Sequence, residues 1–446
     1  VLSQLSYTVQ MFVDRLFLTW YSPEALAGTV TASFLVWVVV GLFVFTGEYV
    51  TTFVAQYLGA ERPRRVGPAL WQGAWFSLAA GLFTALLAPL AGPVFARSGH
   101  APGVVASEIA YSRVLLLGGF APVLMATMAS FFAGRGRTTV ILLVNVVVTL
   151  INGALDWLWI FGNLGFPRAG EVGAGWATVT SQLVGAGIYI AIILRRENRE
   201  AYGTSSGWRL EPDLFRRLLR YGLPAGLQFS MEILSFSLFM IVIGRIGTAP
   251  LAASGIAFNL NMIVFMPMLG CALATTSLVG RYLGAGRPEL AERSTYSAFF
   301  TCLVYMVSCC AGYVLFPGPL LAPFGAEADP AAFAEVAQIA AVLLRFVAFY
   351  SLFDMMNVIF AAGLKGAGDT RFPVVATTLL SWALMVVPAW VLCARGGHGV
   401  YTAWTAASVY ILVNGLLMLR RFRGGHWKGL RLIEAAAAPV PVAAGE

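Results

Sequence analysis

One stretch of this chain occurs twice. Residues 50–63 read VTTFVAQYLGAERP, and residues 275–288, 225 positions later, read TTSLVGRYLGAGRP, with eight of fourteen positions identical. The identities are Thr51/Thr276, Val54/Val279, Tyr57/Tyr282, Leu58/Leu283, Gly59/Gly284, Ala60/Ala285, Arg62/Arg287 and Pro63/Pro288. A second echo joins Gly134, Gly136 and Thr138 to Gly366, Gly368 and Thr370. Two ordered echoes at nearly equal spacing argue against chance resemblance between helix ends. They point to a chain built from two related halves.

Those halves belong in a membrane. The chain is 59% hydrophobic and 11% charged, where a soluble domain carries about 25% charged residues. A span needs about 20 apolar residues, and twelve such runs are read near 1–20, 32–55, 70–93, 107–131, 138–162, 171–195, 219–244, 250–280, 294–316, 336–363, 372–394 and 398–421. The runs are continuous rather than alternating, which excludes a β-barrel. The expected fold is an all-α membrane protein with six spans in each half. Residues 1–195 form an N-lobe, 196–218 a polar connection, 219–421 a C-lobe, and 422–446 a tail whose end, EAAAAPVPVAAGE, is expected to be disordered. Val1 already lies inside a predicted span, so residues upstream are expected.

Charge sets the orientation. Of 29 Lys and Arg, 22 fall after even-numbered spans or in the 196–218 connection, including Arg62, Arg64, Arg65, Arg217, Lys365 and Arg371. Positive loops stay on the cytoplasmic side, so both termini are expected there, and the two lobes enter the membrane in the same sense. The basic balance is thus a topology signal, and no nucleic-acid partner is implied. Arg outnumbers Lys 27 to 2, which fits a bacterial cytoplasmic membrane. The five cysteines and three histidines show no metal or triad spacing, so no enzyme is read here. No Walker motif implies ATP, and no organic cofactor is expected.

Five acids sit inside predicted spans: Asp14, Glu48, Asp156, Glu232 and Asp354. An ionised carboxylate mid-membrane costs at least ~2.5 kcal/mol unless paired, hydrated or protonated. Such residues usually move ions; the alternative is a structural ion pair, with Arg15, Arg113 and Arg345 as candidates. Asn152 and Asp156 are four apart and share a helix face. Thr178, in the Gly173-Ala-Gly-Trp-Ala-Thr178 start of span 6, brings a hydroxyl near them. Carboxylate, amide oxygen and hydroxyl make a hard-oxygen set suited to Na⁺, which Asp14 would complete or supply with a proton. In the second half, Tyr350 and Asp354 are also four apart. The acids are not duplicated: Pro122 stands opposite Asp354 in the repeat, and Pro388 opposite Asp156, so two unlike ion sites are expected. Aromatic and methionine residues, among them Phe236, Met262, Phe265 and Met355, surround the second pair of acids. Most of them pack helices, but together with carboxylates they suit lipophilic cations.

These features together resemble the multidrug and toxic compound extrusion (MATE) family of the MOP superfamily, across essentially the whole chain. The marks are Val54-Ala-Gln-Tyr-Leu-Gly-Ala60 with its second copy, Asn152-Gly-Ala-Leu-Asp156, Gly173–Thr178 and Gly363-Leu-Lys-Gly-Ala-Gly-Asp-Thr370. The resemblance implies that Asp14, Asn152, Asp156 and Thr178 form an N-lobe cation site. It implies a C-lobe site at Glu232, Tyr350 and Asp354, with Asn259 lining it, as in the NorM-like branch. Ser254-Gly255 stands where many NorM-like members have His-Gln, and Asp156 is closer to DinF-like members, so the coupling ion, Na⁺ or H⁺, stays open. Glu48 takes no role from the family.

The resulting expectation is a monomeric secondary transporter that exports drug-like or cationic small molecules by antiport and alternating access. A lipid-linked precursor flippase of the same superfamily is the alternative, disfavoured by an acidic cavity. An ion channel is a second alternative, and no filter sequence supports it.

Overall fold

The computed structural model describes residues 2–325, 330–430 and 432–434. It is helical almost throughout. α1 is Leu2–Tyr21, about the length of one membrane crossing. It is followed by α2 (Pro23–Gly59), α3 (Pro63–Phe95), α4 (Pro102–Leu117 and Phe120–Gly134), α5 (Thr138–Phe161) and α6 (Gly170–Ile193). The second half comprises α7 (Pro212–Ile246), α8 (Thr248–Gly284), α9 (Pro288–Leu315), α10 (Pro330–Ala367), α11 (Arg371–Cys393) and α12 (Val400–Arg423). Ten of these are long and apolar enough to cross a membrane, and the two pieces of α4, bent by 45°, make an eleventh. The connection is not all irregular. Arg196–Tyr202 is a short helix, and α7 starts at Pro212, so residues 212–218 are already helical.

Local chemistry sets the helix ends. Prolines 23, 102, 212 and 288 open helices, where their missing N–H costs nothing. Gly162 closes α5 with φ 74°, the left-handed cap that glycine adopts freely. Within the first lobe α1 packs on α5, α5 on α6, and α2 and α3 on α4; within the second, α10 packs on α8, α9 and α12. The lobes meet where α2 runs along α7 and where the end of α2 crosses the end of α8.

The duplicated stretches are that crossing. A Cβ on Gly59 would collide with the Arg281 carbonyl, and a Cβ on Gly284 with the Gln56 carbonyl. Gln56 and Arg281 are themselves repeat partners, so the contact has near two-fold symmetry. The second echo repeats the logic: a Cβ on Gly134 would lie 2.7 Å from the Thr51 carbonyl, and one on Gly366 2.6 Å from that of Thr276. Glycine lets two helix backbones approach without side chains between them. The turns after each copy match too. Arg62 N–H bonds the Tyr57 carbonyl at 2.9 Å and Arg287 N–H the Tyr282 carbonyl at 2.8 Å. The copies differ at the left-handed position, which is Gly286 (φ 69°) in one and Glu61 (φ 58°) in the other.

The prolines opposite the acids have structural consequences. α4 bends just before Pro122, whereas α10 runs unbroken through Asp354. α11 is π-helical over Ser381–Val386 and Trp390–Arg395, on either side of Pro388. Proline removes a ladder hydrogen bond, and wider turns absorb the gap.

Two substitutions two residues apart are expected to act in opposite directions. Gly59→Ala overpacks the crossing and lowers stability by about 1–3 kcal/mol. Glu61→Gly relieves about 1–2 kcal/mol of left-handed strain against about 0.5–1 kcal/mol of added chain entropy, and raises it. Thermal unfolding midpoints of the purified variants check both signs.

Candidate functional site

The first cluster lies in the N-lobe. α1 and α5 pack together, which brings Asp14 against Asp156 closely enough for their carboxyl groups to interact directly. Asn152, one turn from Asp156, is fully buried with it. Both oxygens of Asp156, both amide atoms of Asn152, the Thr178 hydroxyl and Oδ1 of Asp14 are buried without a hydrogen-bond partner among the described residues. Leaving one such group orphaned costs about 1–3 kcal/mol. A concentration of them on three helices is a polar nest that its own chain does not fill. Asp14 and Thr178 open onto a cavity of about 90 Å³, also lined by Gln10, Arg15, Trp37, Tyr111 and Gln182. That is room for several waters at about 10–15 Å³ each. The predicted set Asp14, Asn152, Asp156 and Thr178 is thus brought together. Gln10 and Gln182 are additions that no sequence spacing marks.

The second cluster lies beside the contact between α2 and α7. Close contacts between α2 and α7 run from Gly41 to Tyr49 on one helix and from Gly222 to Phe229 on the other, with Phe45 and Phe229 stacked at 3.8 Å. Glu232 is one turn beyond the last of them, and Gln228 Nε2 donates to its Oε1 at 2.8 Å. Asp354 on α10 lies within electrostatic reach of Glu232 and Tyr350, and beside Asn357. The Asn357 Oδ1 accepts from Asn414 at 3.1 Å, and the same Asn414 amide reaches Thr377 at 3.3 Å. Tyr410 on α12 faces both acids. Glu232, Tyr350 and Asp354 are therefore neighbours, backed by an Asn357–Asn414–Thr377 relay that sequence reasoning did not reach.

Other expectations are redrawn. Asn259 donates its amide back to the Gly255 carbonyl of its own helix at 2.9 Å and makes no hydrogen bond to this cluster. Met355 is completely buried in the C-lobe core, so it packs helices and does not line a binding surface. Phe236 packs edge-on against Phe258 at 4.5 Å, which stacks on the buried Trp404 at 4.9 Å. It therefore borders an aromatic core. Met262 is exposed and Phe265 half-buried. Ser254 accepts the Trp404 indole N–H at 3.0 Å.

Lys365 is the largest departure. Read by position it is a loop cation. It lies instead within α10, reaching inward, where its ammonium interacts electrostatically with Glu232 of its own lobe and Glu48 of the other. Its main-chain carbonyl accepts from the Tyr49 hydroxyl at 2.8 Å, and the next carbonyl, of Gly366, from Gln56 at 3.0 Å. Both donors are in the N-lobe. Glu48, the acid without a role, is thereby placed opposite a C-lobe cation across the seam. None of the five intramembrane acids has a cation within 4.0 Å among the described residues; Lys365 acts on Glu48 and Glu232, and Arg15 on Asp14, from farther away.

Comparison with known proteins agrees with this architecture. The MatE family model matches residues 1–158 and 224–391. A protein of Thermotoga maritima, described as a probable multidrug resistance protein NorM, is 27% identical over 93% of this chain and 88% of its own length. One of the same description from Xanthomonas campestris is 29% identical over 98% and 94%. Among solved structures, an outward-facing multidrug resistance MATE transporter of the MOP superfamily superposes with a TM-score of 0.84 at 21% identity, covering 95% of this chain and 92% of that one. A MOP superfamily transporter from Pyrococcus furiosus, described by the reversed polarity of its binding pocket, gives 0.84 at 22% identity over the same shares. The matched model spans both lobes, and the chain belongs to the MatE family: it is a multi-pass membrane transporter and not an enzyme.

Proposed function

We propose that the protein is a multidrug efflux transporter of the bacterial cytoplasmic membrane, exporting lipophilic organic cations by antiport with Na⁺ or H⁺. The observation that carries this reading is the cluster of buried polar atoms without hydrogen-bond partners on Asp14, Asn152, Asp156 and Thr178. Two facing carboxyl groups cannot both stay charged in a desolvated site without a cation between them. The nest therefore takes up one positive charge, as a proton on the pair or as Na⁺ among its oxygens, and releases it when water gains access. Asp14, Asp156, Asn152 and Thr178 carry the ion; Glu232 and Asp354 offer negative charge to the drug.

Coupling follows from the seam. The lobes meet along α2 and α7 and at the α2–α8 crossing, and the charge distribution puts the Arg-rich end of that seam in the cytoplasm with both termini. Two lobes in contact along one seam fit alternating access, with a single chain as the transporting unit. A ligand shifts such an equilibrium only through its different affinity for the two states. Lys365 supplies a tethered competitor. Its ammonium shares Glu48 and Glu232 while the seam is closed, and loses Glu48 when the lobes separate. The acidic excess of the cleft weighs against a lipid pyrophosphate, so the flippase reading is the weaker one.

Liposomes containing the protein and ethidium, given a Na⁺ gradient or a pH gradient singly, are expected to show efflux under one of them. Asp14→Asn and Asp354→Asn are each expected to cut that efflux at least about tenfold, the effect of roughly 1.4 kcal/mol. Unchanged efflux in both variants sinks the proposal. Lys365→Met removes the tethered competitor, so the apparent KM for ethidium is expected to fall about two- to fivefold, what an ion interaction of about 0.5–1 kcal/mol corresponds to. Glu48→Gln turns Lys365 wholly toward Glu232 and is expected to raise KM by a similar factor.

A further inference from the structure

The chain does not become irregular after α12. At Gly425 (φ 69°) it turns back, and a 3₁₀ turn at His426–Gly429 lays the fully buried Trp427 on Phe422 at 4.7 Å. Lys428 pairs with Glu292, and Arg421 with Asp369 at 2.8 Å. The strand of chain then crosses to the other lobe. Leu432 is 1% exposed and joins the core cluster of Tyr49, Tyr57, Val66, Leu214 and Leu218. Glu434, expected to begin a disordered tail, is held; the expectation for 435–446 lies outside the described residues.

The grip on Glu434 is a built anion site. Its Oε2 accepts from the Tyr57 hydroxyl at 2.8 Å and from Arg217 Nη1 at 2.6 Å, its Oε1 from Arg65 Nε at 3.1 Å, and its main-chain carbonyl from Arg62 Nη1 at 3.0 Å. Arg65 also holds Glu211 through two bonds of 3.1 and 2.8 Å. Tyr57, Arg62 and Arg65 belong to the N-lobe, Glu211 directly precedes α7, and Arg217 is on α7 of the C-lobe. Burial alone would raise the Glu434 carboxyl, but hydrogen bonds from Arg217 and Tyr57 hold it at about 2, below its usual 4.5. The contribution of docking is therefore complete above pH 4.5 and fades only as pH falls toward 2. Around neutral pH the site always meets an anion. Without that anion, Arg65 and Arg217 stand on opposite sides of the seam with Arg62 nearby, Glu211 offsets part of their charge, and like charges repel.

We propose that Tyr57, Arg62, Arg65 and Arg217 form a carboxylate-binding site whose ligand is the chain's own Glu434, and that its occupancy holds the Arg-rich end of the lobe seam shut. The tail thus acts as a strap. It is anchored on the C-lobe by Trp427, wedged into the seam by Leu432, and latched to the N-lobe by Glu434. Opening the seam draws Arg65 away from Arg217 and breaks the shared anion. The role rests on alternating access as read above.

Spin labels at Thr139→Cys and Glu289→Cys, both exposed at the Arg-rich end of opposite lobes and away from Glu434, report the seam by their distance in lipid nanodiscs. Glu434→Gln is expected to raise the long-distance population at least about fivefold, by loss of charged hydrogen bonds. Adding Arg217→Gln to that variant removes part of the repulsion and is expected to return some of the short-distance population. An unchanged distribution in Glu434→Gln overturns the strap. A wild-type protein whose distance never responds to drug, Na⁺ or pH counts instead against alternating access. Should that protein open when Glu434 is neutralised, the strap stands without it.

Discussion

The ends of α2 and α8 cross with nothing between them but backbone. Gly59 faces the Arg281 carbonyl, Gly284 faces the Gln56 carbonyl, and every lobe-to-lobe hydrogen bond described above lies within a few turns of that point. The rest of the molecule depends on this contact. The seam combines main-chain contacts and single side-chain bonds, such as Ser277 Oγ to the Ala133 carbonyl at 3.1 Å, with a buried apolar cluster that both lobes fill: Tyr49, Phe53 and Tyr57 of α2 join Leu214, Leu218 and Ala225 of α7. Phe131, Phe132 and Tyr189 belong to that same cluster, while the core around Trp404 lies within the C-lobe.

The sequence duplication makes the seam, and divergence makes the chemistry. An acid on one lobe stands where a proline stands on the other: Asp354 against Pro122, Asp156 against Pro388. Proline bends α4 in the first lobe and accompanies π-helical turns in α11 of the second. An irregular backbone exposes polar groups, and within a membrane these must be satisfied internally. Each lobe therefore has one distorted helix and one helix bearing a carboxylate at corresponding places. The buried polar nest of Asp14, Asn152, Asp156 and Thr178 is confined to the N-lobe, and the Glu232–Asp354 pair to the C-lobe.

Parts of this were open to reading from residues alone because their physics is local. Gly59, Gly284, Gly134 and Gly366 recur since only glycine tolerates a carbonyl at that distance, and Asp156 and Asn152 share a face by helical spacing. The parts that stay hidden are those that depend on which helices touch. Lys365, one turn from a helix end in an Arg-rich context, has the sequence signature of a cytoplasmic cation; only the contact of α10 with the end of α2 brings it near Glu48. Met355 reads like any methionine near an acid, and its burial is set by α8, α9 and α12 together. Asn357, Asn414 and Thr377 lie on three separate helices, so no spacing links them. Glu434 sits in an alanine-rich stretch whose composition argues for disorder, and four donors over 350 residues away in some cases override it.

Charge is arranged along the seam in a way that explains why one end closes. At the Arg-rich end, arginines from both lobes converge and would repel but for Glu434 and Glu211. Farther in, Lys365 sits between Glu48 and Glu232. Beyond it, Asp354 lies within electrostatic reach of Glu232 and Tyr350. Arginines are thus offset by carboxylates at the Arg-rich end, and one lysine is shared between two acids farther in. Under the proposed antiport, a cation bound beside Asp354 and Glu232 competes with the tethered Lys365. Under the proposed alternating access, separating the lobes takes Lys365 from Glu48 and the Glu434 carboxylate from Arg65, so that the two proposals are linked by the exchange of a few charges.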